Sequence, residues 1–267
     1  MQQEIESFYD PDQIIELYQK YALDLKRVKA QQRAFYLSQG YLPLGHQPTS
    51  TERVRARLIR FKNQITRFAH FRPQLDDIES EITYLLLREL QPESVVEISP
   101  SRGWSTTWIL SALRDNQKGQ LQSYDIVNYS KRFVPKSLAK GRWQLFVGDV
   151  KEKIDTFPKK IDYLFIDSDH SAEFAHWYIE TVFPLLESGT PVSVHDVYHD
   201  EKPDAFDGEG KVVVDWLNRH RIPCLTFSPK KSPQLYEKTE KAKASLEINK
   251  PIHTSNYNSM IFFPFMK

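Results

Sequence analysis

The chain has 267 residues, with 36 basic against 35 acidic side chains and a net charge of +1. Its 40% hydrophobic and 13% aromatic residues allow a sizeable core, either one large domain or a core with an appendage. The near-neutral balance argues against a polycation built for nucleic acid, and the single cysteine, Cys224, excludes an internal disulfide and a cysteine-based zinc cluster.

The N-terminal MQQEIESFYDP is polar and acidic, unlike a secretory signal, and no apolar run approaches the roughly 20 residues of a membrane helix. The expectation is a soluble, cytoplasmic protein with no nucleic-acid and no membrane partner. Residues 1–90 read as helical. Asp10, Pro11 and Gln13 form a helix start: an N-cap acid, a proline at the first position and a glutamine at the capping-box position. Ile14, Tyr18, Tyr21, Leu25 and Val28 follow at helical spacing. Residues 40–50 form a loop by their glycine and proline content. A second helix, 51–71, carries Val54, Leu58, Phe61, Ile65 and Phe68. It also carries a basic run, Arg53, Arg55, Arg57, Arg60, Lys62, Arg67 and Arg72, against Glu52 alone. That run reads as a solvated face, with an anionic substrate or a partner subunit as the alternative. A third helix begins at Asp76 and Asp77, acids at its dipole-positive end, and runs through Ile78, Ile82, Leu85 and Leu86 to Leu90.

After residue 92 short β-rich runs alternate with amphipathic helices. Strands are expected at 95–99, 121–127, 143–148, 163–167, 192–197 and 224–227, with a last one at 259–265. Helices fall near 104–115, 131–140, 151–156, 171–187 and 209–220. The alternation predicts an α/β fold: a Rossmann-like, mostly parallel sheet with helices on both faces. Residues 1–90 would be a helical extension, 91–267 the ligand-binding domain, and 229–257 an insertion that is helical over 235–246.

In such a sheet ligands bind beyond the carboxyl ends of the strands. Strand one ends at Glu97 and the loop Ser99, Pro100, Ser101, Arg102, Gly103. The next four end at Asp125, at Asp149, at Asp167 with Ser168, Asp169 and His170, and at His195 with Asp196. Any one of these acids reads as a helix cap or turn former, but five at one edge point to a site. Gly103 and the small serines leave room for a ligand against the backbone, and amides opening the next helix can take a carboxylate or phosphate. An acid after strand two can accept from ribose hydroxyls, and one after strand three from an adenine amino group.

These features resemble a class I S-adenosylmethionine-dependent methyltransferase over residues 90–197. VVEISPSRGWST resembles that family's first motif, with Ser99 and Ser101 where glycines are usual and only Gly103 retained. FIDSDHSAEFAHWYIETVFPLLESGTPVSVHDVY, from Phe165 to Tyr198, resembles the subgroup reading ID-x-DH, L-x-x-G and HD-V, which includes small-molecule and natural-product O-methyltransferases. The resemblance implies an antiparallel last strand and S-adenosylmethionine held by Glu97, Ser99, Ser101, Gly103, Ser105, Asp125 and Asp149. It also implies a divalent cation such as Mg²⁺ on Asp167, Asp196 and, here, His195, with Asp169 as base and His170 against the substrate. The acceptor would be a small molecule methylated at oxygen.

Plainer roles stand beside these. Asp169 could cap the helix from Ser171, His195 could be a satisfied half-buried histidine, and Arg102 and Trp104 either shape the pocket mouth or pack on the helix start. Histidines 46, 70, 176, 199, 220 and 253 show no metal spacing. Asp167, Ser168 and Asp169 also form the D-x-D box of a metal-dependent glycosyltransferase, and Ser99 in place of glycine fits a non-catalytic binding protein of the same fold. A nicotinamide dehydrogenase lacks its G-x-G-x-x-G. Segments 1–90 and 198–257 would form the acceptor pocket, and their aromatics, Phe35, Tyr36, Tyr41, Phe206, Tyr236 and Tyr257, suit an apolar or ring-bearing acceptor. The same helices are candidates for a homodimer interface.

Overall fold

Asp10 caps the first helix as its neighbours require: its carboxylate accepts from the Asp12 amide at 2.9 Å, and Pro11 opens the helix. A computed structural model of the chain describes residues 10–44, 46–65, 71, 73–203 and 208–267. The stripe expected as one helix is two, α1 (Pro11–Lys20) and α2 (Ala22–Ser38), which meet at Tyr21. Then come α3 (Ser50–Ile65) and α4 (Asp77–Leu90), the latter opened by Glu79 reaching back to the Asp76 amide at 2.7 Å. Arg67, Phe68, His70, Arg72 and Phe206 lie outside the described residues.

The sheet follows the expected strands closely: β1 (Ser94–Ile98), β2 (Gln120–Asp125), β3 (Trp143–Val147), β4 (Tyr163–Ile166), β5 (Pro191–Val194), β6 (Leu225–Thr226) and β7 (Ile261–Pro264). Its order is β3-β2-β1-β4-β5-β7-β6. Strands β1 to β5 are parallel, and β7 runs antiparallel to both neighbours, β5 and β6. Between strands lie α5 (Trp104–Asn116), α6 (Ser130–Phe133), α7 (Lys136–Ala139), α8 (Ala172–Thr181), α9 (Glu209–His220) and α10 (Pro233–Ser245). Three helix expectations need correction, two of them through proline. The helix expected over 131–140 breaks ahead of Pro135, and the one over 171–187 stops at Thr181 and tightens into a 3₁₀ turn containing Pro184. Residues 150–156 form two 3₁₀ turns rather than a helix.

Strand alternation divides the core. Val95, Leu121, Phe165 and Phe262 pack with Ile14, Leu25, Leu85 and Ile109 from α1, α2, α4 and α5. Val96, Ile98, Ile166 and Phe263 pack on the other face with Phe174 of α8 and Leu217 of α9. The N-terminal helices therefore share one core with the sheet. Helix α3 differs. Ala56 is buried, but Val54, Leu58 and Phe61 are 59%, 62% and 61% exposed.

A buried ionic cluster fastens the N-terminal helices to the insertion. Glu81 of α4 is fully enclosed. It meets Lys29 of α2, Lys243 of α10 at 3.1 Å and the Tyr18 hydroxyl of α1 at 2.9 Å. Lys29 also meets Asp77 at 2.9 Å. Removing one member of such a cluster leaves buried charge uncompensated, at a cost of about 3–5 kcal/mol. Glu81→Gln is expected to lower stability by that order in a single denaturation transition, measured by circular dichroism. Two separate transitions would show that residues 1–90 unfold on their own.

Candidate functional site

The loop after β1 is built in left-handed backbone. Ser99, Ser101 and Gly103 have φ of 68°, 46° and 80°, so two serines hold a conformation natural to glycine, at about 1–2 kcal/mol each. Hydrogen bonds hold them there: the Ser99 amide donates to the Tyr124 carbonyl at 2.7 Å and the Ser101 amide to Asp125 Oδ2 at 2.8 Å. Gly103 is required for a different reason than ligand approach, since a Cβ there would lie 2.6 Å from Val134 Cγ2.

Glu97 lies beneath this loop, fully buried. It accepts from Ser105 Oγ and Ser123 Oγ, each at 2.6 Å, and from Thr106 Oγ1 at 2.9 Å. Burial pushes its carboxyl up to about 7, although the three hydroxyls act to lower it. Glu97, Gly103 and Ser105, all expected at the ligand, thus support the loop from below and line neither cleft described next.

Two clefts open at the carboxyl edge. The smaller, of about 210 Å³, is lined by Ser99, Asp125, Gly148, Asp149, Asp169 and Phe174, among others. The larger, of about 650 Å³, is lined by Ser99, Ser101, Arg102, Asp167, His170, His195 and Asp196, and walled further by Tyr41, Gln74, His253 and Tyr257. Ser99 and Ser168 line both, so the clefts adjoin. Burial raises the Asp125 carboxyl, whose oxygens take the Ser101 and Val127 amides. Asp149 accepts from the Lys151 amide at 2.9 Å. Asp169 accepts from both the amide and the hydroxyl of Ser171, at 3.0 and 2.9 Å, while Ser171 itself caps α8 by accepting from the Phe174 amide. Asp167 and Asp169 line different clefts, so the D-x-D carboxylates do not converge there.

The acids of β4 and β5 meet histidines instead. His170, at φ 62°, places Nδ1 at 2.7 Å from Glu209 Oε2 and turns Nε2 toward Asp196 Oδ2 at 3.4 Å and Asp167 Oδ1 at 3.8 Å. Asp167, His170 and Asp196 each offer one donor atom, all within 4.8 Å of one another. His195, expected as the third ligand, has both ring nitrogens facing carboxylates. Nδ1 lies 3.2 Å from Asp167 Oδ1, and Nε2 lies 3.4 Å from Glu79 Oε2. The third donor that the structure brings to the acids is therefore His170, expected as a substrate contact. Asp167 Oδ2 is buried with no hydrogen-bond partner among the described residues.

The charges follow this packing. Burial alone would lower His170, but the Glu209 hydrogen bond and the charges of Asp167, Glu209 and Asp196 push it up to about 8. Burial would also lower His195, yet Asp196, Asp167 and Glu79 raise it well above the usual imidazole range. Burial works to raise Asp196, and the surrounding histidines hold it far below the usual carboxylate range. Sequence reasoning missed Glu79, Glu209, His199, which lies 3.0 Å from Asp196, and His253, whose Nδ1 meets the Tyr41 hydroxyl at 3.0 Å. The capping-box position of Glu79 was visible, but nothing local ties it to His195.

Residues 96–197 match the model of a family described as a methyltransferase domain. Over that span the chain resembles the class I S-adenosylmethionine-dependent methyltransferases. The matched span runs from β1 through the turn after β5, and the sheet order with its one antiparallel strand is that of the class I methyltransferase fold. No curated protein sequence matches the chain. Solved structures share its fold at low identity. An O-methyltransferase described as putative, from Klebsiella pneumoniae, is 16% identical with a TM-score of 0.52, covering 83% of this chain and 92% of that one. The Podospora anserina methyltransferase PaMTH1, bound to S-adenosylhomocysteine, is 13% identical with a TM-score of 0.52, covering 90% and 96%. An O-methyltransferase from Bacillus cereus in complex with S-adenosylhomocysteine is 13% identical with a TM-score of 0.51, covering 84% and 94%. Among the described residues no helix is long and apolar enough to cross a membrane.

The buried Glu97 makes a pH signature. Its folded value, about 7, lies above the ordinary glutamate value of 4.5, so the folded state binds the extra proton between them. Its contribution to stability is largest below about 4.5, falls as pH rises through 7, and totals about 3 kcal/mol. Glu97→Gln, which mimics the protonated form, is expected to flatten the fall in Tm between those pH values. A slope equal to wild type would show that Glu97 is ionised throughout.

Proposed function

We propose that the enzyme methylates a hydroxyl oxygen of a small-molecule acceptor, assisted by a divalent cation on Asp167, His170 and Asp196. The observation that carries this is the orphaned Asp167 Oδ2, buried beside His170 and Asp196 in the wall of the larger cleft. Carboxylate oxygens and one imidazole suit a hard or borderline divalent ion. Glu209 at Nδ1 selects the tautomer whose Nε2 lone pair faces the acids, the outer partner that metal-binding histidines ordinarily have. His195 plays the matching part for Asp167, occupying Oδ1 and leaving Oδ2 for a ligand. Asp167, His170 and Asp196 would hold the ion, and the chemistry it would supply is a lowered pKa for an acceptor hydroxyl.

The smaller cleft suits the adenosine part of the cofactor, with Asp125 toward ribose hydroxyls and Asp149 toward the adenine edge. Ser99 and Ser168 stand where the clefts adjoin, which is where the methyl-bearing sulfur must reach the acceptor. Among the described residues, Arg102 is the only lysine or arginine in the larger cleft's wall, and its Nε is buried with no hydrogen-bond partner. It suits a carboxylate of the cofactor or acceptor. As the acceptor oxygen bonds to the methyl carbon, the carbon–sulfur bond breaks with its electron pair passing to sulfur, the hydroxyl proton passes to water in the open cleft, and S-adenosylhomocysteine remains. Fold neighbours named as O-methyltransferases support oxygen as the acceptor atom. Residues 1–90 and the 229–257 insertion act as the substrate cap, in keeping with Tyr41, Gln74 and His253 in the cleft wall. Asp169, already holding the α8 cap residue Ser171 by two hydrogen bonds, is read as a structural residue of the cofactor cleft rather than as the base.

Outer partners of metal ligands are worth about 10–100-fold, so removing a ligand itself costs at least that much. Asp167→Asn is expected to lower turnover about 100-fold or more while S-adenosylhomocysteine affinity, measured by calorimetry, stays at the wild-type value. Undiminished turnover in EDTA would rule out the ion. Failure of S-adenosylhomocysteine to bind wild type would rule out the cofactor reading itself.

A further inference from the structure

We propose that the outward face of α3 docks this protein onto an anionic lipid bilayer. The amphipathicity of this helix is inverted. At about 100° per residue, Val54, Leu58 and Phe61 fall within an arc of about 60°, and that arc points away from the body, as their exposures of 59%, 62% and 61% show. The opposite side holds buried Ala56 and Ile59, whose Cγ2 lies against Gly40. Arg53 and Arg57 border the apolar row on one flank, and Arg55 and Lys62 on the other, all exposed. Arg55, Arg57 and Arg60 have no carboxylate partner among the described residues. A helix packed on its own core carries the reverse pattern, apolar inward and charged outward.

An apolar ridge between two rails of cations is the pattern of a helix lying in a membrane interface. Arginine stems run alongside the ridge while their heads reach lipid phosphates. A second copy of the chain is a poor occupant. It would bring like-charged rails together, and three side chains of this size, three-fifths exposed, offer on the order of 300 Å² of apolar surface against about 800 Å² per partner in a stable interface. A bilayer imposes no such minimum area and complements the rails along their whole length. The absence of a spanning helix speaks only to crossing a membrane. Tyr41, next to Gly40, stands in the wall of the larger cleft, so docking through α3 brings that cleft near the lipid surface. The inference is independent of the cofactor reading.

The test is flotation of the full chain with phosphatidylcholine vesicles, with and without phosphatidylglycerol. Binding is expected only when phosphatidylglycerol is present, and it should be lost at high salt. Leu58→Asp combined with Phe61→Ser should weaken binding about tenfold or more while Tm and S-adenosylhomocysteine affinity hold, because both side chains are exposed. Arg55→Gln with Arg57→Gln should abolish the preference for anionic vesicles. No binding to anionic vesicles, or binding unmoved by the Leu58 and Phe61 substitutions, overturns the proposal. So does a solution dimer that those substitutions dissolve, since that assigns the ridge to a second copy.

Discussion

A carboxylate can be buried only where partners meet it, and the first two turns of α4 with their cap bury four: Asp76, Asp77, Glu79 and Glu81. Asp76 accepts from the amides of Ser255, Tyr257 and Asn258 and from the Ser255 hydroxyl. Asp77 accepts from the amides of Ile252 and His253, each at 2.9 Å, while Lys29 balances its charge. Glu79 takes the Met260 amide at 2.8 Å and faces His195, and Glu81 meets two lysines from separate helices. The segment from Ile252 to Met260 is thereby clamped along one helix start. That clamp aims His253 and Tyr257 into the larger cleft, delivers the chain into β7 and sets His195 between Glu79 and Asp167.

The loop after β1 answers a related constraint by other means. Serine has to be forced into left-handed backbone, and the force comes from fixed neighbours: Tyr124 and Asp125 at the end of β2 hold the Ser99 and Ser101 amides. Glu97 ties the same parts from beneath, linking β1, β2 and the start of α5 through Ser123, Ser105 and Thr106. A loop with more glycines would need fewer such ties. The departure from the usual motif is thus compensated by hydroxyls, of which that of Ser105 was expected at the ligand.

The strands and their terminal acids were legible because a parallel sheet buried on both faces writes its strands as short apolar runs and gathers ligand chemistry at one edge. The pairing of histidines with acids was not, because it depends on contacts between distant segments. His170 is turned by Glu209 of α9, and His195 is engaged by Glu79 of α4. The resemblance made His195, next to Asp196, the expected third ligand, with a satisfied half-buried histidine as the alternative. The break at Tyr21 has no glycine or proline to announce it. For α3 the periodicity of Val54, Leu58 and Phe61 was plain, but periodicity identifies a stripe without saying which way it faces.

The two clefts draw on different parts of the chain, and this divides their tasks. Every residue lining the smaller cleft, from Ile98 to Phe174, falls within the span 96–197 that matches the methyltransferase family. The larger cleft adds Tyr41, Pro73 and Gln74 from one side of that span and His253, Ser255 and Tyr257 from the other. On the proposed reading, residues that suit a common cofactor sit where the family pattern is readable, and those that suit a particular acceptor sit where it is not. The α4 acids join the two regions. The Asp76 carboxylate holds the far wall of the larger cleft, and Glu79, three residues on, faces the histidine that orients Asp167. The far wall of the larger cleft and the acid cluster are consequently positioned by one helix start, so a change in the N-terminal helices or the insertion that displaced α4 would move both together.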